Sequence, residues 1–120
     1  MKRINISICI PTYNRAHHLQ NCLQSINVAA QNVDKSFNVE VCISDNCSTD
    51  ATEDVVRSAN LTLPVKYRRN KSNFGIPRNF LNVVDMAQGE FAWLVGDDDL
   101  LMPDALMQVC SLIDLHSNVD

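Results

Sequence analysis

Apolar residues along this chain follow two alternating rhythms. Ile6-Ser7-Ile8-Cys9-Ile10 is a short apolar run, and it predicts a buried strand closed by Pro11. From Asn14 the pattern turns helical: Leu19, Cys22, Leu23, Ile26 and Ala30 recur at spacings of three and four, forming one stripe. Val39-Glu40-Val41-Cys42-Ile43 predicts a second strand. Asp50-Ala51-Thr52-Glu53 then reads as a helix start, with Asp50 capping and Glu53 reaching back to its amide. Val55, Val56 and Ala59 give that helix its inner face. Val65-Lys66-Tyr67-Arg68 is a third, more polar strand suited to a sheet edge. Pro77 fits the first turn of a third helix, with Phe80, Leu81, Val84 and Ala87 as its stripe and Gly89 as its stop. Phe91-Ala92-Trp93-Leu94-Val95 is a fourth strand, expected to be buried on both faces with Trp93 in the core. Pro103 and Asp104 open a last helix, with Leu106, Val109, Cys110 and Ile113 inward.

The order βαβαβαβα implies an α/β fold: an open, mostly parallel sheet with helices on both faces and right-handed crossovers. The 120 residues suffice for one small domain, and 46% hydrophobic with 20% charged residues is ordinary for a globular protein. No apolar run approaches the ~20 residues of a membrane span. The basic start, Met1-Lys2-Arg3, is followed by too short an apolar stretch for a signal peptide. A cytoplasmic protein is expected, with any membrane contact made through parts outside this chain. The net charge of -4 argues against nucleic acid as a partner. Cys9, Cys22, Cys42 and Cys110 fall on apolar positions and read as reduced core residues; Cys47 lies in a polar loop. His17, His18 and His116 show no zinc-ligand spacing with them.

In open α/β sheets, ligands bind beyond the carboxyl ends of the strands, where the strand order reverses. Here those ends are Pro11-Thr12-Tyr13-Asn14-Arg15, Ser44-Asp45-Asn46-Cys47-Ser48-Thr49-Asp50, Asn70-Lys71-Ser72-Asn73-Phe74-Gly75 and Gly96-Asp97-Asp98-Asp99. All four are polar, and a parallel sheet brings them to one rim. Three consecutive carboxylates repel one another, and a divalent cation removes that cost. Mg2+ or Mn2+ takes one or two carboxylates and completes its shell with phosphate oxygens and water. The bland reading is a solvated turn before the last helix, although a turn needs one aspartate rather than three. Tyr13 is placed to stack on a base, and the amides that open the first helix to meet phosphate; equally, Asn14 is placed to cap a plain turn. Asp45 is either a partner for a base N–H or an Asx-turn residue. Arg78 is a candidate partner for a phosphate or for Asp97, or else a surface ion pair. Arg69 and Lys71 are weaker candidates of the same kind, and His17 and His18 read as solvated.

Taken together, Ile8-Cys9-Ile10-Pro11-Thr12-Tyr13-Asn14-Arg15, Ile43-Ser44-Asp45-Asn46-Cys47-Ser48-Thr49-Asp50 and Gly96-Asp97-Asp98-Asp99 resemble the signatures of the family 2 glycosyltransferases, which have the GT-A fold. The second stretch commonly reads V-D-D-G-S-T-D, and the third corresponds to the D-x-D metal motif. The runs Asn73–Phe80 and Trp93–Asp99 resemble an abequosyltransferase-like bacterial branch active in surface polysaccharide synthesis. The resemblance implies that residues 1–120 are the nucleotide-sugar-binding half of a GT-A domain, with the acceptor half missing. It implies transfer of a sugar, hexosyl or deoxyhexosyl, from a nucleotide donor to a saccharide or lipid-linked acceptor, with inversion. UDP is the default nucleotide, and a CDP donor fits the narrower branch. Pro11, Thr12, Tyr13, Asn14, Asp45, Arg78, Asp97 and Asp98 would hold the nucleotide sugar, and Asp99 with Asp97 the metal. The general base would lie beyond Asp120. Asn46 and Cys47 depart from the usual Asp-Gly, so the loop after the second strand is expected to differ in shape.

Two other classes compete. A non-catalytic nucleotide-sugar-binding or interaction module would share these features without turnover. A receiver-like phosphoryl-transfer domain requires a carboxylate after its first strand, where Pro-Thr-Tyr-Asn stands. A nicotinamide-binding domain lacks its G-x-G-x-x-G, because Gly75, Gly89 and Gly96 are scattered.

Overall fold

The four strands pair in parallel in the order β3-β2-β1-β4: β1 (Ile6–Thr12), β2 (Val39–Asp45), β3 (Val65–Arg69) and β4 (Phe91–Leu94). Helices α1 (Ala16–Ala30), α2 (Thr52–Ser58), α3 (Ile76–Met86) and α4 (Ala105–Ser117) alternate with them. The computed structural model describes residues 4–117. The basic Met1, Lys2 and Arg3 and the side chain of His116 lie outside the described residues.

Strand alternation explains the layers. Ile6, Ile8 and Ile10 of β1 and Val39, Val41 and Ile43 of β2 point to one face, under α1, α2 and α4. There they bury Leu19, Cys22, Leu23, Ile26, Val56, Leu106 and Cys110. On the other face Cys9 and Cys42 meet Val83 of α3, flanked by polar Ser7, Glu40 and Ser44, all buried. All five cysteines are free, and only Cys47 is not fully buried.

Pro11 does not close β1. The strand runs on to Thr12, with Pro11 opposite Ser44. Thr12 presents its carbonyl to Asn46 N on the β2 side, whereas Cys9 presents its carbonyl to Val95 N on the β4 side. By alternation Pro11 faces the β4 side, where β4 has already ended, so its missing N–H breaks no ladder.

The third helix also departs from expectation. Phe80, Leu81 and Val84 are largely exposed, and the sheet-facing positions are Asn79 and Val83. The helix lies over the carboxyl ends of β1 and β2, where backbone and hydroxyl groups need a polar partner. Asn79 supplies one, donating to Ser44 O (3.0 Å) and accepting from Ser44 Oγ (2.7 Å). Its cap is Ala87 rather than Gly89. Gly89 instead packs on β1, where an added Cβ would sit 2.8 Å from Ser7 N. Strand β4 is an edge strand with Phe91, Ala92 and Leu94 exposed; Trp93 is half-buried against the core. The helix starts differ as well. Asn14 has φ 50° and does not cap α1; Asp50 accepts from Ala16 N (3.1 Å) and from Thr52 N (3.0 Å), serving both α1 and α2. Glu53 turns outward to Arg57 (2.9 Å). No helix among the described residues is long and apolar enough to cross a membrane.

Candidate active site

The strand order reverses between β1 and β4, and a cleft of about 520 Å³ opens there, at the carboxyl ends of the strands. Pro11, Thr12, Tyr13 and Arg15 form one wall and Val95, Gly96, Asp97 and Asp98 another; Asn46, Ile76, Asn79, Phe80 and Leu94 complete it. The Thr12 hydroxyl donates to Asp97 Oδ2 at 2.9 Å, joining the end of β1 to the acidic turn after β4. Arg15 pairs with Asp98 at 3.2 Å and lies 3.7 Å from Asp97.

Asp97 is buried, whereas Asp98 and Asp99 are exposed. Burial pushes the Asp97 carboxyl above the usual carboxylate range. The Thr12 hydrogen bond and the Arg15 guanidinium oppose this, the Asp98 charge adds to it, and His18 opposes it weakly. The same acidic turn reaches Cys22 beneath it: burial first, then Asp97, Asp99 and Asp98, push that thiol up to about 12. Cys22 is therefore a protonated core residue and not a nucleophile.

The predicted residues divide into three sets. Pro11, Thr12, Tyr13, Asp97 and Asp98 line the cleft together. Asn14 and Asp99 stand beside it in structural roles: Asn14 accepts from Thr49 N (2.7 Å), and Asp99 accepts from Gly96 N (2.9 Å), closing the acidic turn. Asp45 is fully buried behind the cleft, accepting from Ser48 N and Oγ on one oxygen and from Tyr67 Oη (2.5 Å) on the other. Oδ2 keeps one acceptor site, but a base N–H reaches it only if the groups that bury Asp45 move. Arg78 does not pair with Asp97 and does not line the cleft; its guanidinium lies 5.7 Å over the Phe74 ring.

Sequence reasoning gave Arg15 no role of its own, although it directly follows the β1 signature and the acidic turn needed a nearby cation. It also missed Asn46, Ile76, Asn79 and Leu94 as cleft residues; Asn79 escaped because it is polar, whereas the apolar stripe of α3 at Phe80, Leu81 and Val84 is exposed.

Among the described residues, no three His, Cys, Asp or Glu side chains converge as a ready metal cage. The donor set nevertheless fits an ion that takes one or two carboxylates and fills its shell from a diphosphate. Asp97 offers a poorly hydrated oxygen whose ionisation such an ion would favour, and Asp98 and Asp99 lie on the same turn.

The departures at 46 and 47 now have a shape. Cys47 adopts φ 68°, a left-handed conformation that glycine takes freely. Relief of that strain amounts to about 1 kcal/mol, part of which glycine's greater freedom in the unfolded chain offsets. Cys47→Gly should therefore raise stability by about 0.5 kcal/mol, and Cys47→Ala should not. Urea denaturation of both variants checks this; equal midpoints would contradict it.

The fold is that of the GT-A class of sugar-nucleotide transferase domains. Staphylococcus aureus TarS residues 1–349, solved in complex with UDP, superposes with a TM-score of 0.83 at 30% identity, covering 95% of this chain and 33% of that one. The mannosyltransferase PcManGT from Pyrobaculum calidifontis, solved in complex with GDP-Man and Mn2+, gives 0.74 at 26% identity, covering 88% and 31%. Residues 7–119 match the family described as glycosyl transferase family 2, and the chain belongs to that family. It is 43% identical over 117 residues to abequosyltransferase RfbV of Salmonella typhimurium, covering 95% of this chain and 34% of that protein. The chain thus spans about a third of that relative and, at 32% identity, 19% of the TarS poly(ribitol-phosphate) β-N-acetylglucosaminyltransferase.

Proposed function

We propose that this chain is the donor-binding half of a metal-dependent, inverting glycosyltransferase that builds surface polysaccharide. The observation that carries the reading is the Thr12–Asp97 hydrogen bond: it gathers the first strand end and the acidic turn into one cleft at the switch point. The relatives' printed ligands, UDP in one and GDP-Man with Mn2+ in another, support a nucleotide-sugar donor. A UDP-sugar is the default; a CDP-linked deoxysugar is the variant favoured by similarity to an abequosyltransferase. The acceptor is a saccharide or a lipid-linked saccharide, and the reaction takes place in the cytoplasm, where nucleotide sugars are made.

Each residue has a physical task. Tyr13 offers a ring for the base, and Pro11 and Thr12 shape the floor beneath it. Thr12 and Arg15 partly offset the burial that disfavours the Asp97 carboxylate, which would lie beside the sugar and diphosphate. Arg78, seated over the Phe74 ring, offers a planar cation to phosphate. Asp99, with Asp97, would hold Mn2+ or Mg2+, which supplies Lewis-acid stabilisation of the departing diphosphate. A carboxylate outside residues 1–120 would take the acceptor proton.

Thermal-shift screening of UDP-, CDP- and GDP-sugars against the full-length protein, with and without Mn2+, tests the reading. One nucleotide should raise the melting temperature, and more so with Mn2+. A flat response across the panel would end it.

A further inference from the structure

We propose that Asn46 is a positioning residue: it holds the loop 71–75 and, through Phe74, sets the place of the Arg78 guanidinium beside the cleft. The proposal rests on the donor-site reading above and concerns a residue to which that reading gives no task.

Asn46 is 3% exposed, whereas Lys71 to Arg78 are all exposed. Little packing therefore holds this stretch, and its hydrogen bonds to one buried amide matter accordingly. The Asn46 side chain uses its full capacity. Nδ2 donates to Asn73 Oδ1 (2.7 Å) and Gly75 O (3.2 Å); Oδ1 accepts from Phe74 N (3.0 Å) and Asn70 Nδ2 (3.1 Å). The backbone fixes the orientation of the amide, since Phe74 N–H requires an acceptor and the Gly75 carbonyl a donor. Asn46 N in turn bonds Thr12 O at 2.9 Å, so the anchor is tied to the cleft's own floor.

The loop then hands this order on. Gly75, at φ 90°, turns the chain into α3, and its carbonyl accepts from Asn79 N (3.1 Å). Phe74, whose amide Asn46 holds, carries the ring over which Arg78 rests. A carboxylate at position 46, as in the common family signature, would meet two acceptors, Asn73 Oδ1 and Gly75 O, with no proton to offer either. In this chain the neighbours require the amide.

Asn46→Asp in the full-length protein tests the proposal by two readouts. In ligand-free protein, hydrogen exchange at the Phe74 and Gly75 amides should quicken by about tenfold. With Mn2+ present, the affinity for UDP or CDP, whichever the wild type binds, should fall by about tenfold. That loss should shrink relative to wild type as the pH is lowered and the new carboxyl regains a proton to donate. Arg78→Ala should weaken binding similarly, and N46D combined with it should add little, because both act through one guanidinium. Failure of the wild type to bind either nucleotide would sink the donor-site reading and this role with it. Wild-type binding that N46D retains in full, unchanged amide exchange, or losses from N46D and R78A that simply multiply would overturn the role of Asn46 alone.

Discussion

Asp97→Asn should weaken Mn2+-dependent nucleotide binding by on the order of 100-fold while raising the melting temperature of the unliganded protein. The two effects share one cause. Burial has raised the folded pKa of Asp97, so ionising it costs more in the folded chain than in the unfolded one. This destabilising contribution is absent below the unfolded value, near about pH 4, and complete above the raised folded value. Above that raised value the neutral amide removes it. The amide also still accepts from Thr12, and the half-exposed Arg15 returns to water at little cost. The charge that burial penalises is the charge that a divalent cation would use. Calorimetric titration and thermal melts on one preparation check both effects; a D97N protein that binds like wild type, or melts lower, would contradict the account.

The largest loss of stability is expected at the opposite end of the sheet. Glu40, 2% exposed, accepts from Ser7 Oγ (2.5 Å) and Gln88 N (2.8 Å) and pairs with Lys66 Nζ (3.0 Å). Ser7 Oγ also receives Gly89 N (2.8 Å), so the network fastens the α3–β4 connection to β1 and β2. Burial alone would raise the Glu40 carboxyl, but the Ser7 and Gln88 hydrogen bonds and the Lys66 ammonium outweigh it and hold it below its ordinary value. A depressed folded pKa contributes stability above the unfolded value, about 4.3, which is lost as the pH falls through the folded one. Glu40→Ala strands the buried Ser7 hydroxyl and takes the acceptor from the part-buried Gln88 N–H, whereas Lys66, more than a third exposed, can find water. The cost is therefore about 2–3 kcal/mol, below that of breaking a fully buried pair. The urea midpoint should fall at pH 7, and the wild-type advantage should shrink on acidification below about pH 4. Nucleotide affinity should hold, because the network lies away from the cleft.

The sequence revealed the frame through its periodicity. Continuous apolar runs at Ile6–Ile10 and Val39–Ile43 marked the two central strands, and the polar Val65–Arg68 run marked an edge. The convergence of strand ends followed from parallel topology alone, and it correctly brought Thr12, Tyr13, Asp97 and Asp98 together. What escaped depends on tertiary context. The third helix carries Phe80, Leu81 and Val84 in a good stripe, yet it buries Asn79, because the ends of β1 and β2 beneath it are polar. Trp93 read as fully buried because an apolar strand looks central until its neighbours are known, and among the described residues β4 ends the sheet, leaving Trp93 half-buried against the core. Arg15 and Asn46 were visible as letters, but their partners lie 24 to 83 residues away. Positive φ at Asn14 and Cys47 has no periodic signature.

The proposed function would bring cation and diphosphate together at the β1–β4 switch point, against the turn that Thr12 fastens. Anomalous diffraction at the manganese edge, from crystals of the full-length protein grown with Mn2+ and the nucleotide that stabilises it, locates the ion directly. The account predicts a peak within coordination distance of an Asp97 or Asp99 carboxylate oxygen, with the nucleotide's base near Tyr13. A peak elsewhere, or a nucleotide bound away from Thr12 and Asp97, would contradict it.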